Sequence, residues 1–335
     1  MKFTDDLLPA IIYLGILTGY IIILHLFRIF YRIKIRRSHF TENFLRAPGQ
    51  SLLKKIDGLS EDITLIVTTL VTIPLVFYSG YVSHLYFYKR EFDPIVVNII
   101  GGLGAVVTIY CLVKTLKLLK KRRMIRFGYE GQITVGQELN QLMLEGHYVY
   151  HDFPAEKFNI DHIVVGRSGI FAVETKAQSK PTTKNRRQDA TVEYNGKMLD
   201  FPDGDDFKII EQAEQQAFWL SEWISSAIGE QVAARAIVAL PGWFVKRTSA
   251  DGISVVNPQQ FPSLFKHIKP RTLNDEMISR IVHQLEQKCR DIAPGSQASD
   301  GGQPAIKDPV GINSTGVDTH HNNPRLLKIY DFSPN

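Results

Sequence analysis

The chain is poor in cysteine and, over long stretches, in charge. Its 335 residues contain two cysteines, Cys111 and Cys289, which excludes a disulfide framework and a zinc or iron–sulfur site built from several cysteines. Charged residues make up 22% of the chain, and 24 glycines and 16 prolines are moderate numbers, which excludes a collagen-like, coiled-coil or wholly disordered protein. No internal repeat is evident. At about 100–200 residues per domain, the length allows two or three units.

Three stretches in the first third of the chain contain no Asp, Glu, Lys or Arg: residues 7–27, 63–88 and 94–113. Each has about 20 residues or more, enough for a helix to cross a hydrocarbon core of about 30 Å. Strongly basic sequence follows the first stretch, where a signal peptide would have small residues. We therefore predict a membrane anchor over residues 1–119 with three spans. Pro74 leaves open the alternative of two spans and an interfacial segment.

Lysine and arginine are concentrated on one side of these predicted spans. Eight of them lie between residues 28 and 55 and seven between 114 and 126, whereas the opposite side has Lys2, Lys89 and Arg90. This asymmetry predicts a multi-pass protein of the inner (cytoplasmic) membrane, with its amino terminus outside and its later residues in the cytoplasm. The basic run at residues 120–123 is typical of an anchor at anionic lipid headgroups.

The lipid bilayer is thus one predicted partner. Gly15 and Gly19 lie on one face of the first span with GxxxG spacing, which would allow close helix approach and a homodimer. The spans contain none of the charged residues that transport or proton relays usually need, so we interpret the region as an anchor.

From Phe127 onward the pattern changes to that of a mixed α/β domain, predicted over residues 120–290. The periodicity predicts helices over 132–145, about 206–228 and 276–289, and strands over 148–153, 160–165, 170–176 and 236–240. Asn195-Gly196, between two short strands, is typical of a type I′ hairpin turn. Residues 291–335 are rich in Gly, Ser, Asn, Asp and Pro, and we predict a disordered tail because little apolar surface is available to offset ordering.

Asp161 interrupts an apolar strand, so its carboxylate needs a partner or a metal ion. Glu174 and Lys176 follow on one face of the next strand. If the two strands are hairpin neighbours, the carboxylates converge beside an ammonium group. Two oxygen ligands suit Mg²⁺ or Mn²⁺, and the ammonium would position water or stabilise developing negative charge. This constellation is typical of phosphodiester hydrolysis; the alternative is a Glu–Lys pair at a strand end with an Asp bonded to backbone.

These residues belong to a longer series of motifs, namely Gly128-Tyr-Glu-Gly131, Phe158-Asn-Ile-Asp161-His162-Ile-Val-Val165-Gly166, Gly169-Ile-Phe-Ala-Val-Glu174-Thr-Lys176 and Gln212. The series resembles the NERD (nuclease-related) domain, a family assigned to the PD-(D/E)-x-K nuclease superfamily, over about residues 128–245. The resemblance implies a restriction-endonuclease-like core with the order α-β-β-β-α-β. It also implies Asp161, Glu174 and Lys176 as the metal and catalytic triad, and Gln212 as a helix glutamine near the site.

The chain departs from the family pattern at one position. The family usually has Glu directly after its Gly-x-x-Gly motif, where this chain has Gln132. Glu138 borders the buried stripe of the same helix and is the predicted substitute, with Glu130 as a further option. Otherwise the site works with two carboxylates, or its activity is weakened. Three basic residues of a polar loop are candidate phosphate contacts, with a solvated loop as the alternative: Lys184, Arg186 and Arg187.

The sequence therefore predicts a membrane-anchored, cytoplasm-facing nuclease that depends on Mg²⁺ or Mn²⁺. Its expected partner is nucleic acid, DNA in the first place, in DNA processing or defence. The alternative is a catalytically weak nucleic-acid-binding or scaffolding module that retains the nuclease fold. The set Asp161, Glu174 and Lys176 favours the enzyme, and Gln132 favours the alternative.

Overall fold

The computed structural model describes residues 44–88, 94–180, 190–268 and 273–290, in which two long helices lead into an α/β domain with mixed sheets. The helices are α1 (Gln50–Tyr88), α2 (Pro94–Gln141), α3 (Lys208–Ile228), α4 (Phe261–His267) and α5 (Asp275–Lys288), with 3-10 turns at Leu142–Glu145 and Pro258–Gln260. The strands are β1 (Tyr148–Pro154), β2 (Asn159–Gly166), β3 (Gly169–Thr175), β4 (Thr191–Tyr194), β5 (Leu199–Phe201), β6 (Gly204–Asp206), β7 (Ala234–Ala239), β8 (Phe244–Arg247) and β9 (Ser254–Val256).

Two helical segments are long and apolar enough to cross a membrane, Gln50–Ser83 and Gly101–Glu145. Only 6% and 11% of their most apolar 18-residue stretches are buried, so the domain core does not cover these stretches. The two segments overlap the second and third predicted spans, at residues 63–83 and 101–113. The first predicted span at 7–27, with Gly15 and Gly19, lies outside the described residues, as does the predicted tail at 291–335. The described part of the chain thus shows two candidate spans, where the sequence predicted three over the whole chain.

The helices α1 and α2 pack against each other as an antiparallel hairpin. Their buried and half-buried residues include a series with alternating spacings of four and three, the pattern of a coiled-coil seam. On α1 these residues are Leu52, Ile56, Leu59, Ile63, Ile66, Leu70, Ile73 and Phe77, and on α2 they are Gly104, Thr108, Cys111, Thr115, Leu118, Arg122, Ile125, Tyr129 and Gln132. Across the seam, Arg122 Nε donates to Ser60 Oγ at 2.8 Å. One seam therefore continues from the apolar segments into the α/β domain.

The helix α2 continues without a break from the apolar segment into the domain. The separate helix predicted at residues 132–145 is instead the last part of α2 with its 3-10 turn, which ends at Gly146 with a φ of 84°. The predicted boundary between residues 119 and 120 lies inside this helix. Gly131 allows α2 to pass close to the end of β3, because a Cβ there would lie 2.8 Å from the Cβ of Ala177.

The larger sheet has the order β1-β2-β3-β7-β9, antiparallel from β1 to β3 and parallel from β3 to β9. The helices α3 and α5 cover one face around Ile163, and the end of α2 with α4 covers the other around Val164. The second sheet, β6-β5-β4-β8, packs with the start of α3 around the fully buried Trp243. The helices α2 and α3 thus lie against β2 and β3 from opposite faces of the larger sheet.

The predicted type I′ turn at Asn195-Gly196 is wrong. Tyr194 pairs with Leu199, so four residues join β4 to β5. Gly196 has a φ of 94°, but Asn195 is not left-handed, and a type I′ turn needs both central residues in that region. Asn195 Oδ1 instead accepts hydrogen bonds from the backbone N–H groups of Lys197 and Met198, both at 3.0 Å. Hydrogen bonds to the Asn195 side chain thus stabilise the connection in place of a two-residue backbone turn.

Candidate functional site: a buried carboxylate pair

Asp161 and Glu174 lie at the end of the larger sheet where β2 begins and β3 ends. In the antiparallel pairing of these strands, His162 is opposite Val173 and Gly166 is opposite Gly169. One further step along this register places Asp161 opposite Glu174. Both residues are buried, with 9% and 7% of their surface exposed. The structure therefore brings together the two carboxylates that the sequence analysis selected as metal ligands.

Amide N–H groups hold both carboxylates. Asp161 accepts from Gln132 Nε2 at 2.5 Å and from the backbone N–H of Thr175 at 2.9 Å, one bond on each oxygen. Glu174 accepts from Gln212 Nε2 and Gln216 Nε2, each at 2.7 Å and again on separate oxygens. Gln132 comes from α2 and the other two glutamines from α3, so the elements on both faces of the sheet converge on the pair.

The pKa values of both carboxyl groups are raised. Burial raises the pKa of Asp161 well above its usual value, and the neighbouring charges of Glu174 and, less, Asp152 add to the increase against the Thr175 N–H. Burial raises the pKa of Glu174 to about 7, although the hydrogen bond from Gln216 and the charge of Lys176 lower it. Bringing both groups to the ionised state in this site is costly without a cation between them.

Lys176 lies beside the pair, directly after β3. Its Nζ forms an ion pair with Asp206 Oδ2 at 2.7 Å, and its side chain is 30% exposed. Asp206 Oδ1 also accepts from the backbone N–H of Ile209 at 3.3 Å, so this residue caps the start of α3. The ion pair of Lys176 lowers the pKa of Asp206 against the effect of its partial burial. A half-buried lysine paired with Asp206 thus lies next to two buried carboxylates.

Gln212 lies at the site, as the resemblance implied, but Gln216 was not predicted. Its position one helical turn after Gln212 was the available signal, because residues four apart share a helix face. Asp206 was not predicted at the site either, and its ion pair with Lys176 joins positions 30 residues apart in the chain.

Glu138 is not among the residues hydrogen-bonded to the carboxylate pair. It lies about 9 Å along α2 from Gln132, and Gln141 Nε2 donates to it at 3.2 Å. Glu130 is exposed and forms an ion pair with Arg126 at 2.9 Å. Within the described residues, the first-helix position at the site therefore belongs to Gln132. The candidate phosphate contacts Lys184, Arg186 and Arg187 fall in residues 181–189, which the structure does not describe.

A chain of hydrogen bonds behind the carboxylates was not predicted from the sequence. It links Asn140 Oδ1 to His151 Nε2 at 3.0 Å, His151 Nδ1 to His162 Nδ1 at 2.8 Å, and His162 Nε2 to Thr175 Oγ1 at 3.2 Å. Burial lowers the pKa of His151 to about 4, and burial with the neighbouring His151 lowers the pKa of His162 well below its usual value. Neutral imidazoles therefore connect α2 to the residue whose N–H holds Asp161.

The comparison with known families agrees with the geometry. Residues 127–241 match the family model of the nuclease-related domain, NERD, a range that includes Gln132, Asp161, Glu174 and Gln216. No curated protein and no solved structure matches the chain. The matched range contains the end of α2, the carboxylate strands and α3, the elements that build the site. Residues 127–241 of this chain are therefore a nuclease-related domain of the NERD family.

Proposed function

We propose that this chain is a membrane-anchored, cytoplasm-facing nuclease that hydrolyses phosphodiester bonds of nucleic acid, DNA in the first place, with Mg²⁺ or Mn²⁺. The observation that carries the proposal is the pair of Asp161 and Glu174, buried opposite each other and next to Lys176. The NERD match supports a nuclease-related function for residues 127–241. The chain order of the end of α2, β1, β2, β3, α3 and β7 supports a restriction-endonuclease-like core, with β4–β6 inserted before α3.

The residues at the site fit a hard divalent cation. A cation between Asp161 and Glu174 would favour the ionised form of Asp161, whose pKa is raised by burial first and then by the charge of Glu174. Two carboxylates are enough for Mg²⁺, which keeps several waters and takes phosphate oxygens from the substrate. The described residues contain no group of three His, Cys, Asp or Glu able to hold a metal ion. The buried Oε1 atoms of Gln132 and Gln216 have no hydrogen-bond partner within the described residues.

The protein residues would have separate roles at the scissile phosphate. A bound cation would polarise the phosphoryl group and lower the pKa of an attacking water. Lys176, whose side chain is partly exposed, would contact a phosphate oxygen or the water and stabilise the negative charge of the transition state. Asp206 orients this ammonium, and the amides of Gln212 and Gln216 fix the rotamer of Glu174. The loop residues Lys184, Arg186 and Arg187 remain proposed contacts to flanking phosphates.

For the rest of the chain we propose an anchor at 1–119 with three spans, a nuclease domain at 120–290 and a disordered tail at 291–335. The two apolar helices support membrane association by their length and composition. The Lys and Arg asymmetry supports an outside amino terminus and a cytoplasmic nuclease domain. A homodimer through Gly15 and Gly19 remains part of the proposal.

A second candidate function is a nucleic-acid-binding or scaffolding module with little or no catalysis. One observation favours it: an amide, Gln132, occupies the position next to Asp161 where the family usually has a carboxylate. Each oxygen of the pair already accepts one amide N–H, so the site is held together without a metal. This module would retain nucleic acid without cutting it.

Cleavage by the purified full chain in detergent micelles decides between the two functions. The full chain is needed because a fragment that begins at Phe127 would lack α1 and most of α2. Single- and double-stranded DNA and RNA are incubated with Mg²⁺, Mn²⁺ or EDTA, with the variant Asp161→Asn as the matched control. Metal-dependent cleavage that Asp161→Asn abolishes is the expected result. Retention of nucleic acid on a gel without any cleavage would replace the enzyme by the binding module.

A further inference from the structure

Asp152 is a buried carboxylate that has no part in the proposed chemistry. It is 2% exposed, and its φ of 49° makes it the one non-glycine residue with a left-handed backbone in the described chain. It lies in β1 between His151, which pairs with His162, and Phe153, which pairs with Ile160. A non-glycine residue in this region signals a conformation that its surroundings impose. The contacts of Asp152 show what imposes it.

The carboxylate of Asp152 binds the start of α1, 101 positions earlier in the chain. Its Oδ2 accepts from the backbone N–H of Ser51 at 2.9 Å, and its Oδ1 accepts from Ser51 Oγ at 2.6 Å. The helix begins at Gln50, so the Ser51 N–H is one of the first-turn donors that a helix leaves unsatisfied. A carboxylate at this end also interacts favourably with the helix dipole. Asp152 is thus a helix cap supplied by a distant strand.

Residues 45–51, which we call the strap, make further attachments before the contact at Ser51. Arg46 Nη1 donates to the carbonyl oxygen of Asp152 at 3.1 Å and lies 3.6 Å from its carboxylate. The backbone N–H of Arg46 donates to the carbonyl oxygen of Cys289 at 3.1 Å, and Leu45 forms a β-bridge with Arg290. The strap is therefore bound to β1 and to the end of α5 before α1 begins.

The strap also packs against the part of α2 that reaches the carboxylate pair. A Cβ at Gly49 would lie 2.8 Å from Tyr129 Cδ2 and 3.2 Å from Gln132 Oε1. A Cβ at Gly136, one turn after Gln132, would lie 2.5 Å from Pro48 Cγ. Gly49 is buried and left-handed, with a φ of 67°. The carboxamide of Gln132 is thus enclosed between the strap on one side and Asp161 on the other.

We propose that the strap is a positioning element for the carboxylate pair, with Ser51 and Asp152 as its positioning residues. The Asp152–Ser51 clasp holds Gly49 against Gln132, and Gln132 then presents its Nε2–H to Asp161. The metal affinity of the pair therefore depends on the clasp, although neither Ser51 nor Asp152 contacts the metal. The inference rests on the proposed function for the role of the pair, but the geometry it describes exists without metal.

The clasp also connects the site to the apolar hairpin. Gln132 is the last seam position of α2. A Cβ at Gly128, next to the seam residue Tyr129, would lie 3.7 Å from Cδ1 of the seam residue Leu52. The nuclease site is thus assembled at the domain end of the hairpin, so a domain released from the hairpin would lose part of its site.

The test compares Ser51→Ala with Ser60→Ala in the full chain in detergent micelles. Both changes remove one hydroxyl from α1, but Ser60 lies about 14 Å further along the helix and contacts Arg122 and Ile56. Mn²⁺ affinity is measured by electron paramagnetic resonance. Ser51→Ala should weaken it about tenfold, the lower end of the cost of removing an outer support of a metal ligand. Ser60→Ala should leave it unchanged. Gly49→Ala, which pushes on Tyr129 and Gln132, should also weaken it.

A second measurement needs no metal. The Thr175 N–H donates to Asp161, so its hydrogen exchange in EDTA reports where Asp161 lies. Exchange at Thr175 should accelerate in Ser51→Ala and not in Ser60→Ala. In a Gln132→Ala background, Ser51→Ala should change neither readout further, because the strap acts through Gln132.

Equal behaviour of Ser51→Ala and Ser60→Ala in both measurements would overturn the inference, and so would additive effects of Ser51→Ala and Gln132→Ala. If the wild-type protein binds no Mn²⁺, the proposed function fails instead. Hydrogen exchange of the Thr175 backbone N–H alone then tests whether the strap positions Asp161.

Discussion

Asp161 and Glu174 face each other across two antiparallel strands, and each accepts its two hydrogen bonds from amide groups. Amide donors stabilise the ionised carboxylates only in part, because burial still raises the pKa of both. The hydrogen bonds therefore fix the positions of the two carboxyl groups without neutralising the charge of their ionised forms. Such an arrangement suits a cation that arrives with the substrate, and it makes the protonation of Glu174 a measurable property of the metal-free protein.

We predict that Glu174→Gln removes a pH-dependent loss of stability. The pKa of Glu174 is about 7 in the folded protein and near 4.5 in the unfolded chain. The folded state therefore binds the proton more tightly, and stability is lost as the pH rises from about 4.5 through 7. In EDTA, the Tm of the wild type should fall relative to Glu174→Gln across this window, where 1 kcal/mol corresponds to about 2–4 °C. Differential scanning fluorimetry of both proteins from pH 4 to 8.5 measures this difference.

The comparison with the variant is necessary because the buried histidines act in the opposite direction. The lowered pKa of His151 and His162 makes the folded protein lose stability as the pH falls below 6.5, and both proteins share this effect. Mg²⁺ should raise the Tm of the wild type at pH 8 and not that of Glu174→Gln. A Tm difference that does not change with pH would show that Glu174 does not titrate in this range.

We predict that Lys176→Ala lowers the cleavage rate by about 100-fold or more, the scale for removing a well-placed electrostatic stabiliser. Metal affinity should change little, because Lys176 forms its ion pair with Asp206 and not with the oxygens of Asp161 or Glu174. The Tm should also change little, since the ion pair is partly exposed. Single-turnover cleavage at saturating Mg²⁺ measures the rate. Lys246→Ala, which removes an exposed lysine paired with Glu193 at 2.6 Å, is the matched control and should be fully active.

The sequence predicted the carboxylate pair because the relevant information is local. The strands of Asp161 and Glu174 are joined by the short turn at Arg167-Ser168, so the spacing of the two residues in the chain fixes their register. Glu174 and Lys176 follow from the two-residue period of a single strand. The family resemblance added the elements around them, and residues 127–241 match that family.

Most supports of the pair were not predicted, because they come from distant parts of the chain. Gln132 reaches Asp161 over 29 positions, Gln216 reaches Glu174 over 42, and Ser51 reaches Asp152 over 101. For Gln216 the one available signal was its position one helical turn after Gln212. No local pattern encodes the contacts of Gln132 and Ser51. Glu138 was predicted to compensate for Gln132 because it borders the buried stripe, but about 9 Å of helix separates the two positions.

We predict that the full chain behaves as an integral membrane protein with residues 88 and 335 on opposite sides. The motivation is the uncovered apolar surface of α1 and α2 and the asymmetry of Lys and Arg around them. The protein should resist extraction by carbonate, and reporter domains fused after Tyr88 and Asn335 should give opposite signals. Reporters on the same side would remove a span or place the nuclease domain away from cytoplasmic nucleic acid.

We predict that Gln132→Glu destabilises the metal-free protein and increases its affinity for Mg²⁺ and Mn²⁺. Gln132 Nε2 donates to Asp161 Oδ1 at 2.5 Å, so a carboxylate there would replace a hydrogen bond by repulsion between buried like charges. A divalent cation would turn the same residue into a third oxygen ligand, the ligand that related domains usually have. Activity should be kept or raised. Calorimetric Mn²⁺ titration and Tm in EDTA, with Glu138→Gln alongside, test both effects. Because Glu138 contacts Gln141 on the helix surface, Glu138→Gln should leave metal affinity unchanged. Weaker metal binding in Gln132→Glu, together with a loss in Glu138→Gln, would assign the third ligand to Glu138 instead.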